Sequence, residues 1–348
     1  MTETAAFEIG GEAVAPGTRR TVDLPVASLY TNTPVHLPVI VQHGAQAGPK
    51  LFVSAALHGD EIIGVEIIRR VLRLPQLAQL CGTLMAVPVI NVLAFMHQSR
   101  YSPDRRDLNR SFPGSETGSL TARLANRFLK EVVGRADYGI DLHTGAIHRP
   151  NLPQIRADLS QPENLRLARA FGAPVLLNSA AAGGTLREHT TRQGTPVLLY
   201  ESSEALRFDE TCIRIGVQGV INVMTELGML PAPADAPARI EPAIAQSSTW
   251  VRAPASGILR TQVALGDEVQ RDQVLGIVGD PFGEHDTPVL ASAAGIVIGR
   301  LNLPLVYEGD ALFHIARLKS PEAAAQTVDQ IEADTALLPP LPDEPPIV

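Results

Sequence analysis

Between Thr33 and Gly228 the chain alternates β-branched apolar runs with helical stripes, and this alternation restricts the fold more than any other feature. The runs TPVHLPVIVQHG and KLFVSAALHG, each closed by glycine, predict two neighbouring buried strands. EIIGVEIIRRVL is apolar round most of its circumference, with Arg69 and Arg70 near its end, and predicts a helix packed on them and closed by Pro75. GTLMAVPVINVLAF reads as a further buried strand, and SLTARLANRFLKEVV places Leu120, Leu124, Phe128 and Val132 on one helical stripe. The pattern continues through ADYGIDLHTG (strand and turn), PENLRLARAFG (helix), APVLLN and GTPVLLYESSE (strands) and DETCIRIGVQGVINVMTELG (helix). It implies an α/β class: a mixed, largely parallel sheet flanked by helices.

The alternation stops at LPAPADAPARIEP, a Pro- and Ala-rich stretch suited to an extended linker. From Trp250 to Ala316 short strands alternate with Gly and Asp turns, and APASGI at 253–258 recurs loosely as ASAAGI at 291–296. A small C-terminal all-β domain with two related halves follows. It resembles the hammerhead of biotinyl and lipoyl carrier domains, but a carrier needs a lysine at its hairpin tip, and only Lys50, Lys130 and Lys319 occur. The module is therefore expected to act as a wall. The expected division is an N-terminal segment, partly strands, at 1–38; a main domain at 39–230; a linker at 231–248; a β-rich domain at 249–318; and a proline-rich, acidic tail at 319–348.

Composition removes several function classes. Apolar runs fall short of the roughly 20 residues a membrane span needs, and the N-terminus lacks the basic-then-apolar order of a secretory signal. Cys81 and Cys212 form no C-x-x-C pair, so a reducing, cytoplasmic location is expected. A net charge of −8 without a long basic stripe argues against nucleic acid as a partner. Exposed sheet edges in the β-module make a homo-oligomer a reasonable expectation.

Chemistry concentrates where strands end. His58 and Glu61 lie at a strand-to-helix junction, the edge where open α/β sheets collect ligands. Two histidines and a glutamate are one known set of catalytic zinc ligands. On these two residues alone, a hydrogen-bonded turn histidine and a glutamate at a helix N-terminus explain the pattern equally well. His143, in a Gly-closed turn after another apolar strand, extends the pair to three. Four arginines, Arg100, Arg105, Arg106 and Arg110, cluster in SRYSPDRRDLNRSFPG and suggest an anionic substrate.

HGDE, RDLNRSFPG, DLHTG and PVLLYE, in this order across roughly Val39 to Met229, resemble the succinylglutamate desuccinylase and aspartoacylase family of zinc hydrolases, related to carboxypeptidase A. The resemblance implies a zinc carboxypeptidase-like fold with one zinc per chain, held by His58, Glu61 and His143, and Glu201 as general base and later acid. It assigns Asn109 and Arg110 to the substrate carboxylate and Arg100 to the scissile carbonyl. Because SPDRR is longer than the usual spacer, Arg105 and Arg106 are rivals to Arg100. Arg187 is the expected further substrate-binding arginine, with Arg192 as its competitor. Asp107 is expected to hold its loop or a zinc ligand, Asp60 to belong to the turn and Glu204 to be a loop carboxylate; His43, at a strand end, could compete for metal, and Tyr307 falls where the β-module could overhang the pocket and lend a hydroxyl. The implied activity is amide hydrolysis of a small anionic N-acylated amino acid. The alternatives are a peptide-cleaving metallocarboxypeptidase and a non-catalytic binding protein on the same fold.

Overall fold

The computed structural model describes residues 4–232, 240–318 and 321–337. Among them a thirteen-stranded sheet forms the backbone of the molecule. Its centre is the strand Gln46–Ala55, paired in parallel with Cys81–Val87 on one side and Tyr138–His143 on the other. Val197–Ser203 continues in parallel beside Tyr138–His143, and Asn151–Ala157 then runs antiparallel to it. The expected α/β class with a mixed sheet and a C-terminal all-β region is what the chain adopts.

Strand periodicity of two explains how one sheet serves both core and site. In Tyr138–His143, Ile140 and Leu142 enter the core beneath helices Ile63–Leu72 and Glu210–Glu226, while Asp141 and His143 share the opposite face. In Val197–Ser203, Leu198 and Tyr200 go inward in the same way, leaving Val197, Leu199 and Glu201 on the cavity side. The helix Ile63–Leu72 is tied to Glu210–Glu226 by Arg70, which donates to Glu66 within its own helix and to both oxygens of Glu210. Ser119 and Asp209 cap Leu120–Glu131 and Glu210–Glu226 with side-chain oxygens, worth about 1 kcal/mol each.

Several expectations change. The strands Pro34–His43 and Gln46–Ala55 are not neighbours, because Cys81–Val87 lies between them; Gly44 N–H donates to Gly82 O, so the chain crosses the start of that strand and does not form a hairpin. The apolar run after Gly82 is a strand only to Val87, and Asn91 then caps a short helix, Val92–Met96. Within 39–230 the helix Leu186–Gln193 and the strand Asn151–Ala157 went unread. Pro153 obscured the second, yet it sits where the register slips against Val197–Ser203, a place where a missing N–H is tolerated.

The boundaries shift too. Pro34–His43 crosses the one expected at 38, and Phe7, Ile9, Val14, Val22 and Leu24 share a core with Phe52 and Phe128. Within the expected linker, 233–239 lie outside the described residues, but Ala243–Ala245 pairs with Val175–Asn178. Ser247–Arg252, Ala311–Arg317 and Gly295–Arg300 extend the main sheet, meeting Asn151–Ala157 where Gly299 faces Asn151. Glu268–Val269 also joins the main sheet, beside Gly295–Arg300, and the other four strands of the β-module form a second sheet over a separate apolar core. The segment expected as a tail begins with a helix, Pro321–Leu337, whose Ala324, Val328 and Ile331 are buried; 319–320 and 338–348 lie outside the described residues.

Candidate active site

At the carboxyl edge of the central parallel strands a cavity of about 400 Å³ opens. His58, Glu61, Arg100, Asn109, Arg110, His143, Arg187 and Glu201 all line it, so one place in the fold gathers the residues preferred from the sequence for catalysis, substrate and metal over their rivals.

The side that carries the candidate metal ligands is built from the turn at 58–61 and the end of Tyr138–His143. An added Cβ at Gly59 would lie 2.0 Å from the Ala94 carbonyl carbon, so only glycine lets this turn rest on the helix Val92–Met96. Glu61 Oε1 is 2.6 Å from His58 Nδ1, and its Oε2 is 2.7 Å from His143 Nδ1. The outer nitrogens are also engaged: His58 Nε2 lies 3.1 Å from Asp107 Oδ1, and His143 Nε2 lies 2.8 Å from Asp141 Oδ2. Asp141 is itself held by the Ser54 hydroxyl at 2.8 Å. Burial pushes Glu61 up, but His58 and His143 outweigh it and hold the carboxyl well below the usual range. Burial likewise opposes charge on both imidazoles, yet Glu61 and Asp107 raise His58, and Asp141 and Glu61 raise His143, above the ordinary histidine value.

His58, Glu61 and His143 each offer a ligand atom within 4.8 Å of the others, so the three can hold a metal ion. The donor set is one that zinc takes. Carboxylates on both Nε2 atoms are the outer partners that fix the tautomer of zinc-ligating histidines and leave Nδ1 for the metal. Three acids around two imidazoles suit a cation.

The arginine loop separates cleanly. Arg100 Nη1 donates to Glu61 Oε1 at 3.2 Å, and Nη2 donates to Asp107 Oδ2 at 3.0 Å. Its rivals Arg105 and Arg106 are exposed and do not line the cavity. Asp107 both receives Asn109 N–H at 2.8 Å and braces His58. Asn109 Oδ1 accepts from Leu186 N–H at 3.1 Å, which leaves its amide NH₂ free to donate into the cavity. Arg187 hangs from the carbonyl and hydroxyl of Ser179 and from the Ala180 carbonyl. Burial, followed by the like charge of Arg156, lowers it to about 10.

Other expected participants lie elsewhere. Arg192 is exposed and paired with Glu188 at 2.6 Å. Tyr307 is 78% exposed and outside the cavity, so the β-module does not deliver it to the pocket. His43 spends its nitrogens on Thr83 Oγ1 and Ala5 O, each at 2.9 Å, and is no metal competitor. Glu204 receives His148 N–H and Asn302 Nδ2, joining the 144–150 loop to the β-module. Asp60 stays in the turn, where its carbonyl receives Leu206 N–H; its buried Oδ1 has no partner, and burial followed by Glu61 raises its carboxyl.

Among the cavity residues not foreseen, Asn151, Arg156, Trp250 and Arg149 bear on Glu201 and its wall. Asn151 Nδ2 donates to Glu201 Oε1 at 2.6 Å, and Arg156 Nε lies 2.9 Å from Glu201 Oε2. Trp250 comes from the β-module and stacks on His314 with ring centroids 4.4 Å apart, while the Arg149 guanidinium lies 5.9 Å from its ring. The usable signal was Gln154-Ile155-Arg156, a polar-apolar-polar strand pattern. An added Cβ at Gly145 would lie 1.9 Å from Arg149 O, so the loop carrying Arg149 closes over the cavity only with glycine there.

The family model for the succinylglutamate desuccinylase/aspartoacylase catalytic domain matches residues 47–227. A curated relative, the N-alpha-acetyl-L-2,4-diaminobutyric acid deacetylase of Halomonas elongata, is 28% identical over 298 residues, 82% of this chain and 86% of that protein. The product-bound ectoine utilization protein EutE (DoeB) of Ruegeria pomeroyi superposes with a TM-score of 0.77 at 25% identity, covering 85% of this chain and 94% of its own. A succinylglutamate desuccinylase/aspartoacylase from Rhodobacter sphaeroides gives 0.77 at 25% identity, covering 86% and 95%.

Proposed function

This chain belongs to the succinylglutamate desuccinylase/aspartoacylase family, and we propose that it is a zinc-dependent hydrolase removing the acyl group from an N-acylated amino acid or similar small carboxylate-bearing molecule. The observation that carries this reading is the meeting of His58, Glu61 and His143 with Glu201 in one cavity, where Glu201 lies opposite His143 in the parallel register.

His58 Nδ1, His143 Nδ1 and a Glu61 oxygen would hold the zinc. Zinc held there supplies a water activated at neutral pH and a Lewis acid for the amide carbonyl. Glu201 accepts a proton from the attacking water and returns it to the departing amine nitrogen. Asn109 and Arg110 grip the substrate carboxylate, and Arg100, beside Glu61, donates to the oxyanion that forms on the former carbonyl oxygen. A cavity of about 400 Å³ walled by Trp250 of the β-module favours a small substrate over a peptide.

Charge narrows the amine half. Glu61, Asp141 and Glu201, the cavity carboxylates, are all engaged, and among the described residues no carboxylate pairs with Arg110, Arg149 or Arg187. A side chain bearing a free ammonium, as in the diaminobutyrate derivative named for the relative, would find guanidinium groups and no available acid. The test is metal analysis followed by amine release from N-acetyl, N-succinyl and N-formyl amino acids. We expect about one zinc per chain, and neutral side chains turned over faster than ammonium-bearing ones of equal length. Glu201→Gln should lower kcat by about 10²- to 10⁴-fold with zinc retained; full activity in that variant, or no turnover of any member of the panel, overturns the reading.

A further inference from the structure

We propose that Arg156 is the positioning residue of the general base, setting the orientation of the Glu201 carboxylate through Oε2 while Asn151 holds Oε1. The proposal rests on the reading of Glu201 as the base. Both holders come from one strand, Asn151–Ala157. Its antiparallel register pairs Leu199 with Arg156 and Glu201 with Gln154, which puts Arg156 diagonally across from Glu201 on the cavity face. The register then slips, so that Asn151 is opposite Ser203, and this slip brings the Asn151 amide within 2.6 Å of the same carboxylate.

The Arg156 contact differs in kind from that of Asn151. Nε approaches Oε2 to 2.9 Å, yet its N–H is not aimed at the oxygen and finds no other acceptor. The guanidinium therefore anchors Glu201 by charge and leaves the lone pairs of Oε2 for the proton of water. Arg156 is backed by the C-terminal strands. Gly299 faces Asn151, where an added Cβ would lie 2.7 Å from Asn151 Oδ1. His314 is buried with Nδ1 unpartnered, and burial together with the charge of Arg156 keeps it neutral. The β-module thus acts on catalysis by backing the strand that aims the base, besides walling the cavity with Trp250.

The experiment compares zinc-loaded full-length protein with Arg156→Ala, Arg156→Lys, Glu201→Gln and the Arg156→Ala/Glu201→Gln double variant, on an N-acyl amino acid it hydrolyses. In Arg156→Ala kcat should fall by about 100-fold with KM within about threefold and zinc content unchanged. Added guanidinium ion should restore part of that kcat in Arg156→Ala and none in the double variant. Trp250, the single tryptophan, stacks on His314 and reports by its emission whether the backing is intact. If Arg156→Ala perturbs that emission, Arg156→Lys carries the test: it keeps the charge without the planar fork and should show a smaller fall in kcat at unchanged KM. A raised KM with unchanged kcat assigns Arg156 to substrate and overturns the proposal, as do unchanged kinetics. Full activity in Glu201→Gln overturns the reading of the base instead.

Discussion

The two walls of the cavity are built in opposite ways. On the metal wall His58, Glu61, Asp141 and His143 are each at most 4% exposed, every one of their ring nitrogens and carboxylates is engaged, and the residues come from two short segments. On the base wall Asn151 and Arg156 share one strand while Arg187, Glu201 and Trp250 come from three others, and Arg156 Nε lacks an aimed acceptor. A saturated, local cluster is suited to binding one ion tightly. An assembled wall with spare guanidinium groups is suited to admitting, orienting and releasing an anionic molecule.

The contrast predicts that damage to one wall is read as metal loss and damage to the other as lost turnover. Asp141→Asn removes the charge behind His143, and zinc affinity should weaken by about 10- to 100-fold, measured by chelator competition, while kcat at saturating zinc changes little. A comparable loss of zinc in Arg156→Ala would erase the distinction between the walls.

A smaller effect tests the backing of the base wall through pH. Burial, then the charge of Arg156, lowers His314 to about 3, well below the ordinary histidine value. A depressed folded value means the unfolded chain takes the proton first. The stability contribution is therefore complete above about pH 6.5 and declines as pH falls toward about 3, at a limiting slope of about 1.4 kcal/mol per pH unit. Denaturant melts of the wild type and His314→Gln between these values should show a shallower acid decline in the variant. The smallest expected effect is at Arg106, exposed and 4.0 Å from Asp104. Arg106→Ala should leave kcat/KM within about twofold, whereas a large fall would return this arginine to the site.

The same contrast explains what was legible beforehand. Strand ends and helix starts are local, so HGDE and DLHTG announced themselves through apolar runs interrupted by polar groups, and the resemblance of four ordered motifs supplied Glu201, Asn109 and Arg110. The choice among Arg100, Arg105 and Arg106 was not local. Arg105 takes a positive φ of 64° in a turn that turns its side chain and that of Arg106 to solvent, while Arg100 is drawn to Glu61 and Asp107.

By itself the sequence determined the α/β class and picked out the candidate metal ligands and the family pattern, because each is announced by short local motifs, a few residues long, at strand ends and helix starts. Only the tertiary structure decided that Asn151–Ala157 is a strand, that the β-module joins the main sheet through Gly299, and that Arg156, Arg149 and Trp250 meet Glu201's side of the cavity. Those facts depend on pairing between segments up to about 150 residues apart, and the slipped register around Pro153 cuts short the alternation of Gln154, Ile155 and Arg156 that would have marked the strand.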